Sequence, residues 1–492
     1  MKNKIKYLTL VLLTASLTGC EKFLETAPDL RATLNTPEKV SELLTTAYPQ
    51  ANYITFLEAM SDNADDKGIA AGGGDIINRD PWYFNDVNSR DLDTPDNYWY
   101  ACYKAIAAAN QALKTIAEAD NQQQYVAQKG EALVARAYAH FMLVTLFSRV
   151  YDANTAQNDP GIPYVLEPEN VVNKKYERKT VAYVYQQIEK DLTEGLPLIN
   201  GSKYTVPKYH FTPAAAHAFA TRFYLFKKDY AKVVEHANLV FASGNIAMNL
   251  RDYVAASYRM MEPASKTSFY TNSSNSANIL LQEAGSLWGR SFASYRYSLS
   301  MNLLRKTLWA TNVSGGTWAY QLYGRDLTLN MRKYPEHFVL SSQGANIGDP
   351  YNMIPLFTAE EVLFNRAEAN ANLGNNAAVL QDLNDFGRRR IIVSDANPVY
   401  SPATHAITLA KVESFYKTTN VKEGLIKTIL DFKRNDFMFD GMRWFDILRH
   451  NLPVVHTTAD LSETITLGPN DPRRVLQIPQ EAELSGIERN PR

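Results

Sequence analysis

Two stretches far apart in the chain repeat one pattern, an alanine-bearing apolar helix, a short polar turn and a second apolar face at helical spacing. In Ala214–Phe241 the first helix is predicted to end at Phe226, and Tyr230, Val233, Val234, Ala237 and Val240 open the second face. In Glu361–Phe386, Ala367 and Ala371 lie in the first helix, Leu373-Gly374-Asn375 makes the turn, and Ala377, Leu380 and Leu383 line the second. Residues three and four apart share one side of a helix, and small alanines there let two helices approach closely. A helix pair of this kind cannot bury its apolar face alone, so other pairs must stack on it. The chain is therefore expected to be mainly α.

The paired units resemble tetratricopeptide repeats, although insertions scatter them and the roughly 34-residue period of a plain array is missing. More helices surround them. Thr36-Pro37-Glu38 signals a start, with Val40, Leu43, Leu44 and Ala47 on one side and an end near Tyr48-Pro49. Trp99, Tyr103, Ile106, Asn110 and Leu113 continue the spacing, and Ala132–Phe147 has barely a polar break. Val184, Ile188 and Leu192 fall in line after Arg178-Lys179-Thr180 and stop at Gly195 and Pro197. Two regions differ. Ser61–Pro95, crowded with Asp, Asn and Gly, reads as long irregular loops, and residues 251–350 read as a loop-rich insertion or cap rich in Ser, Asn, Gly and aromatics. Near the C-terminus, Arg443, Asp446 and Arg449 are spaced three apart and can form a salt-bridge ladder on one helix face.

The first residues have a different purpose. Lys2, Lys4 and Lys6 precede an apolar segment from about Tyr7 to Leu17, too short to span a bilayer, and Leu17-Thr18-Gly19-Cys20 closes it. This is an export signal over residues 1–19, and Cys20 resembles the lipobox cysteine that bacteria acylate. Several acyl chains, at about 0.8 kcal/mol per buried methylene, hold a protein firmly on a membrane without a transmembrane helix. Residues 1–19 contain three lysines and no acid, so 51 Lys and Arg less those three, against 52 Asp and Glu, leave the remainder near −4. That balance argues against a nucleic-acid partner. Cys102, the one other cysteine, has no partner for an intrachain disulfide and reads as a buried apolar residue.

Taken in order, further motifs resemble the SusD/RagB surface lipoproteins of the Bacteroidetes over nearly the whole length after Cys20. They are Cys20-Glu21-Lys22-Phe23-Leu24 with Pro28, the Ser61-Asp62 loop, Tyr98-Trp99 to Asn110, Glu131-Ala132 with Arg136-Ala137-Tyr138, and Gly161-Ile162-Pro163. Arg178-Lys179-Thr180-Val181 with Asp191-Leu192 and Ala367-Glu368-Ala369 with Leu373-Gly374 follow. The most specific are Phe439-Asp440-Gly441-Met442-Arg443 with Asp446-Ile447-Leu448-Arg449, where Asp440 replaces the family's commoner Glu, and Ile478-Pro479-Gln480 with Glu483 and Asn490-Pro491. The resemblance implies a tetratricopeptide-like scaffold with a loop-rich cap, and four regions: the leader over 1–19, a lipidated spacer over 20–35, an N-terminal helical region with ligand-side loops over 36–245, and a C-terminal region over 246–492 that includes the cap at about 251–350. It also implies a non-enzymatic, cofactor-free protein, anchored on the outside of the outer membrane, that binds glycan and acts as a lid on a SusC-like TonB-dependent transporter. A RagB-type peptide binder is the nearest alternative. Glu21 and Glu25 after Cys20 are similar to the signal that sends such lipoproteins to the cell surface.

Sugar rings present apolar C–H faces flanked by hydroxyls, so an aromatic beside Asn, Asp or Arg matches both. Trp99 and Trp444 lie in helical motifs and are expected in the core, whereas Trp82, Trp288, Trp309 and Trp318 lie in or near loop-rich segments. The expected ligand set is Trp82, Tyr83 and Asn85, then Trp288, Arg290 and Tyr295, then Trp318 and Tyr320. Little supports catalysis. The chain has no His-Glu-x-x-His, no Gly-x-Ser-x-Gly, no Walker loop and no metal-spaced cysteines. A lipid-anchored glycoside hydrolase, needing only two spaced carboxylates, is the remaining enzymatic reading, and a purely structural helical adaptor is the third. The Asp62–Gly68 loop is similar to a calcium loop, but Ala64 and Lys67 stand where an EF-hand needs an oxygen ligand and a glycine, so no metal is expected.

Overall fold

A computed structural model describes residues 34–169, 174–342 and 344–492; Cys20 and the expected leader lie outside the described residues. Helix α1 (Pro37–Leu44) starts where the sequence places it, with the Thr36 side chain accepting a hydrogen bond from the Lys39 amide. It stops at Leu44 rather than near Pro49, and α2 (Ile54–Met60) follows. The region expected to be loop throughout, Ser61–Pro95, holds a short strand β1 (Asp65–Asp66) and a helix α3 (Ile76–Trp82). Asp75 caps α3 by accepting from the Ile77 amide, and Pro81 sits in its last turn, which is why the sequence reads as a break there.

Next come α4 (Pro95–Glu118), capped by Thr94, and α5 (Val126–Phe147). Almost every residue of α5 from Gly130 on is buried, so its apolar character runs round the whole helix rather than down one stripe. α6 (Val181–Gly195) packs against it with Thr180 as its cap. α7 (Pro213–Lys227) and α8 (Tyr230–Leu239) form the first predicted pair, joined through Lys228 in the left-handed conformation (φ 63°).

The expected cap contains short helices, but its frame is β-structure. β2 (Asn278–Gly285), β4 (His337–Ser342) and β5 (Ile347–Thr358) form an antiparallel sheet in the order β2-β5-β4, with Leu281 opposite Pro355 and Glu283 opposite Met353. Between them lie β3 (Tyr297–Ser298), paired with β1, and helix α9 (Met301–Lys306). The second predicted pair follows as α10 (Ala359–Leu373) and α11 (Asn376–Gly387), turning at Gly374 with φ 80°. α8 packs on α10 and α10 on α11, so the two distant pairs stack into one scaffold. α12 (Leu409–Tyr416), α13 (Val421–Asp436), α14 (Met442–Arg449) and the hairpin β6 (Val454–Thr457) with β7 (Thr464–Leu467) complete the chain. The fold is mainly α and tetratricopeptide-like, and among the described residues no helix is long and apolar enough to cross a membrane.

The motifs singled out in the sequence meet one another in space. Arg136 of α5 donates to both carboxylate oxygens of Asp191 in α6, at 2.7 and 2.8 Å. Arg178 donates to the carbonyls of Gly161 and Glu488 and to Asn490 Oδ1, each at 2.8 Å. A Cβ on Gly161 would stand 2.7 Å from the Lys179 carbonyl, so the close strand approach there requires glycine. Glu368 of α10 accepts from Arg449 at 2.6 and 2.7 Å.

The Phe439–Arg443 turn forms a buried polar hub. The Phe439 and Gly441 amides donate to Glu58 at 2.7 and 2.9 Å, while Tyr270, Tyr334 and Lys333 donate to Asp440 at 2.7, 2.7 and 2.8 Å. The expected ladder among Arg443, Asp446 and Arg449 forms only in part. Asp446 accepts from Arg449 and from Lys433, but Arg443 turns to Asp62 instead.

Candidate functional site

β1 pairs with β3 and Asn78 of α3 exchanges two hydrogen bonds with the Tyr297 backbone, which joins the segments that carry the first two predicted aromatic clusters, but Trp82 and Trp288 pack in separate apolar clusters. Their large rings are not on the surface. Trp82 is 0% exposed; its Nε1 donates to the Ala64 carbonyl at 3.0 Å, and its ring stacks on His456 (centroids 4.7 Å, 3° between planes) and packs on Tyr297. Trp288 is 2% exposed and packs with Phe292 and Tyr295, itself buried.

The third cluster keeps other company. Trp318 meets Phe432 of α13 edge-on at 4.9 Å, and Tyr320 donates to Asp436 at 2.8 Å, both rings being buried. The expectation that Trp82, Trp288, Tyr295, Trp318 and Tyr320 offer faces to a ligand is therefore corrected: protein packs over those faces, and the rings act as core. Tyr83 is half-buried, and Asn85 and Arg290 are exposed, with Arg290 paired to Glu336 and lying over the Phe338 ring.

Of the six tryptophans, only Trp309 is exposed, at 59%. It follows α9 and stands one residue before Ala310, which lines a cleft of about 200 Å3 together with Thr307, Phe415, Tyr416, Asp431 and Asn435. Phe415, at the end of α12, is 40% exposed and sets its edge against Tyr416. Tyr416 donates to Asp431 Oδ2 at 2.6 Å, and burial raises the Asp431 pKa while Tyr416 opposes the shift. Two atoms in this wall, Asn435 Oδ1 and Trp318 Nε1, are buried without a hydrogen-bond partner among the described residues. The cleft thus offers exposed aromatic surface beside a carboxylate and an amide. Phe415, Tyr416, Asp431 and Asn435 escaped sequence reading because they lie in helices; Trp309 was flagged only as one of the loop tryptophans.

Arg434 joins this cleft to the acidic loop, donating to Asn63 Oδ1 at 2.8 Å and standing 3.5 Å from Asp62. The acids of the calcium-like sequence are committed elsewhere: Asp62 to Arg443, Asp66 to Arg296 at 2.6 and 2.9 Å, Asp65 to Ser300. Among the described residues no group of three or more His, Cys, Asp or Glu side chains converges. Cys102 is buried and its thiol pKa is pushed up by burial. Trp99 and Trp444 are buried, as expected of core residues.

Similarities to known proteins agree with this architecture. No curated protein sequence matches the chain. The chain aligns with the crystal structure of a SusD superfamily protein from Bacteroides thetaiotaomicron at 20% identity and a TM-score of 0.64, covering 93% of this chain and 100% of that one. A structure of a putative sugar binding protein from Bacteroides vulgatus is similar at 19% identity and a TM-score of 0.65, over 94% and 99% of the two chains. One of a laminarin binding SusD-like protein is similar at 16% identity and 0.55, over 93% and 99%. The family profile described as starch-binding associating with outer membrane matches residues 22–225, and the SusD family profile matches residues 246–481. With both halves matched, the chain belongs to the SusD/RagB family.

Proposed function

We propose that this protein is a non-enzymatic, glycan-binding lipoprotein of the outer-membrane surface, holding oligosaccharide at the Trp309 cleft and passing it to a SusC-like TonB-dependent transporter for which it acts as a lid. The observation that carries the reading is the cleft walled by Phe415, Tyr416, Asp431 and Asn435, with the exposed Trp309 as the chain neighbour of its lining residue Ala310. A flat ring takes the C–H face of a pyranose, and the carboxylate and amide take its hydroxyls. Family membership supports it, as do fold neighbours described as sugar binding and laminarin binding. Of the residues expected from the sequence, Tyr83, Asn85 and Arg290 keep exposed surface that a ligand could reach. Acylation of Cys20 provides the tether.

A glycan array on the protein from residue 21 onward, followed by calorimetry on each hit, tests the proposal. Binding of an oligosaccharide that Trp309→Ala with Phe415→Ala abolishes supports it. Selective binding of peptides would move the protein to the RagB-type reading, and release of reducing ends would make it a hydrolase.

A further inference from the structure

The cleft beside Trp309 has four buried side chains with polar atoms in its wall, Thr307, Asn312, Trp318 and Asn435. Two of them are satisfied by the protein. Thr307 Oγ1 donates to the Leu303 carbonyl at 2.8 Å, and Asn312 donates to the Gly316 carbonyl at 2.8 Å while its Oδ1 accepts from the Ser314 amide at 3.0 Å. The other two are left open. Trp318 Nε1, which can only donate, and Asn435 Oδ1, which can only accept, have no partner among the described residues, although their side chains are 4% and 6% exposed. Buried polar atoms are nearly always hydrogen-bonded, so an open donor and an open acceptor in the wall of one cleft of about 200 Å3 call for an incoming group that brings both partners.

An acetamido group carries one N–H and one carbonyl on opposite edges of a small plane, with a methyl at its end. Val313 and Phe432, both buried, line the same cleft and give that methyl an apolar wall. A hydroxyl makes the same two kinds of bond but brings no apolar end. Resting on the glycan reading of this cleft, we propose that it selects N-acetylated amino sugars, the acetamido N–H donating to Asn435 Oδ1 and its carbonyl accepting from Trp318 Nε1. Both protein atoms lie beneath the surface of the wall, so the acetamido group enters the cleft, and the ring that bears it stays outside against Phe415, which is 40% exposed.

The test compares sugars that differ only in acetamido for hydroxyl, N-acetyllactosamine against lactose and N,N′-diacetylchitobiose against cellobiose, by calorimetry on the protein from residue 21 onward. Two ordinary hydrogen bonds amount to about tenfold or more, so the acetamido member of at least one pair should bind at least about tenfold tighter. Saturation-transfer NMR should then be strongest at its acetyl methyl. Asn435→Ala and Trp318→Phe should each cut the preference to about threefold or less, as loss of one of the two bonds requires. The preference itself is read on the wild type and needs no variant to fold. Equal affinities within both pairs, with binding still lost in Trp309→Ala, overturn the inference and leave the glycan cleft standing, as do array hits confined to sugars without an acetamido group or a preference that both variants retain. Absence of binding to any sugar, or selective binding of peptides, overturns both.

Discussion

Asp62 and Arg443, 381 positions apart in the chain, form a two-pronged ion pair, Nε to Oδ1 at 2.8 Å and Nη2 to Oδ2 at 3.0 Å. The pair ties the loop before β1 to the first turn of α14. Burial works against the Asp62 charge, but Arg443 and then Arg434 outweigh it and hold its pKa at about 2. A depressed carboxylate contributes stability above its unfolded pKa and loses it as pH falls through the folded value. Asp62→Asn should therefore cost about 2 kcal/mol near neutral pH, discounted for partial exposure. The gap from wild type should close between about pH 4 and pH 2, as urea titrations across that range will read.

Glu58 runs the other way. Burial lifts its pKa to about 7, against the pull of the Phe439 and Gly441 amides. A raised carboxylate gives its stability contribution in full below the unfolded pKa and loses it as pH climbs through the folded one. Wild type should lose stability from about pH 5 to pH 8 relative to Glu58→Gln, whose side chain does not titrate. Parallel stability–pH curves for the two would rule this out.

The tryptophans should divide into two classes. Trp82→Ala or Trp318→Ala empties a filled core and should cost about 3–5 kcal/mol. Trp309→Ala should leave Tm within a degree or two, since surface changes are usually within about 0.5 kcal/mol, and weaken glycan binding. Melting curves with affinity electrophoresis separate the classes; binding lost in step with Tm would reject the Trp309 cleft.

Gly441 sits at φ 68°, where an added Cβ would stand 3.1 Å from the Ile54 Cα. Gly441→Ala should lose about 1–2 kcal/mol from the left-handed backbone alone, and more from the contact with α2. A denaturation midpoint equal to wild type would show that the α2–α14 junction can yield.

Local rules carried the helices well. Thr36, Thr94 and Thr180 cap where the spacing begins, and both alanine-rich pairs formed with the turns read for them. The β-sheet was hidden because Asn278–Gly285 shows no period-two alternation, Ile279-Leu280-Leu281 standing together before Gln282-Glu283, and because Pro350 and Pro355 interrupt β5. The site misled for a related reason. An aromatic in a polar, glycine-rich segment looks available, yet Trp82 is claimed by His456, which lies 374 residues away in sequence. No spacing rule reaches that far, and 381 positions separate Arg443 from Asp62, the partner it prefers to Asp446.

The clasp of Arg178 on Glu488 and Asn490 joins residues 310 and 312 apart. Its consequence is temporal. A chain made or threaded from its N-terminus can form the α4–α5 and α7–α8 hairpins early, because their contacts are local. The passage around Gly161 and the entrance to α6 are already tied by local bonds, Gly161 to Lys179 and Val181 to Asp159, so this latch can close with the hairpins. The Arg178 contacts to Glu488 and Asn490 then add a late, long-range tie to a latch that is already shut.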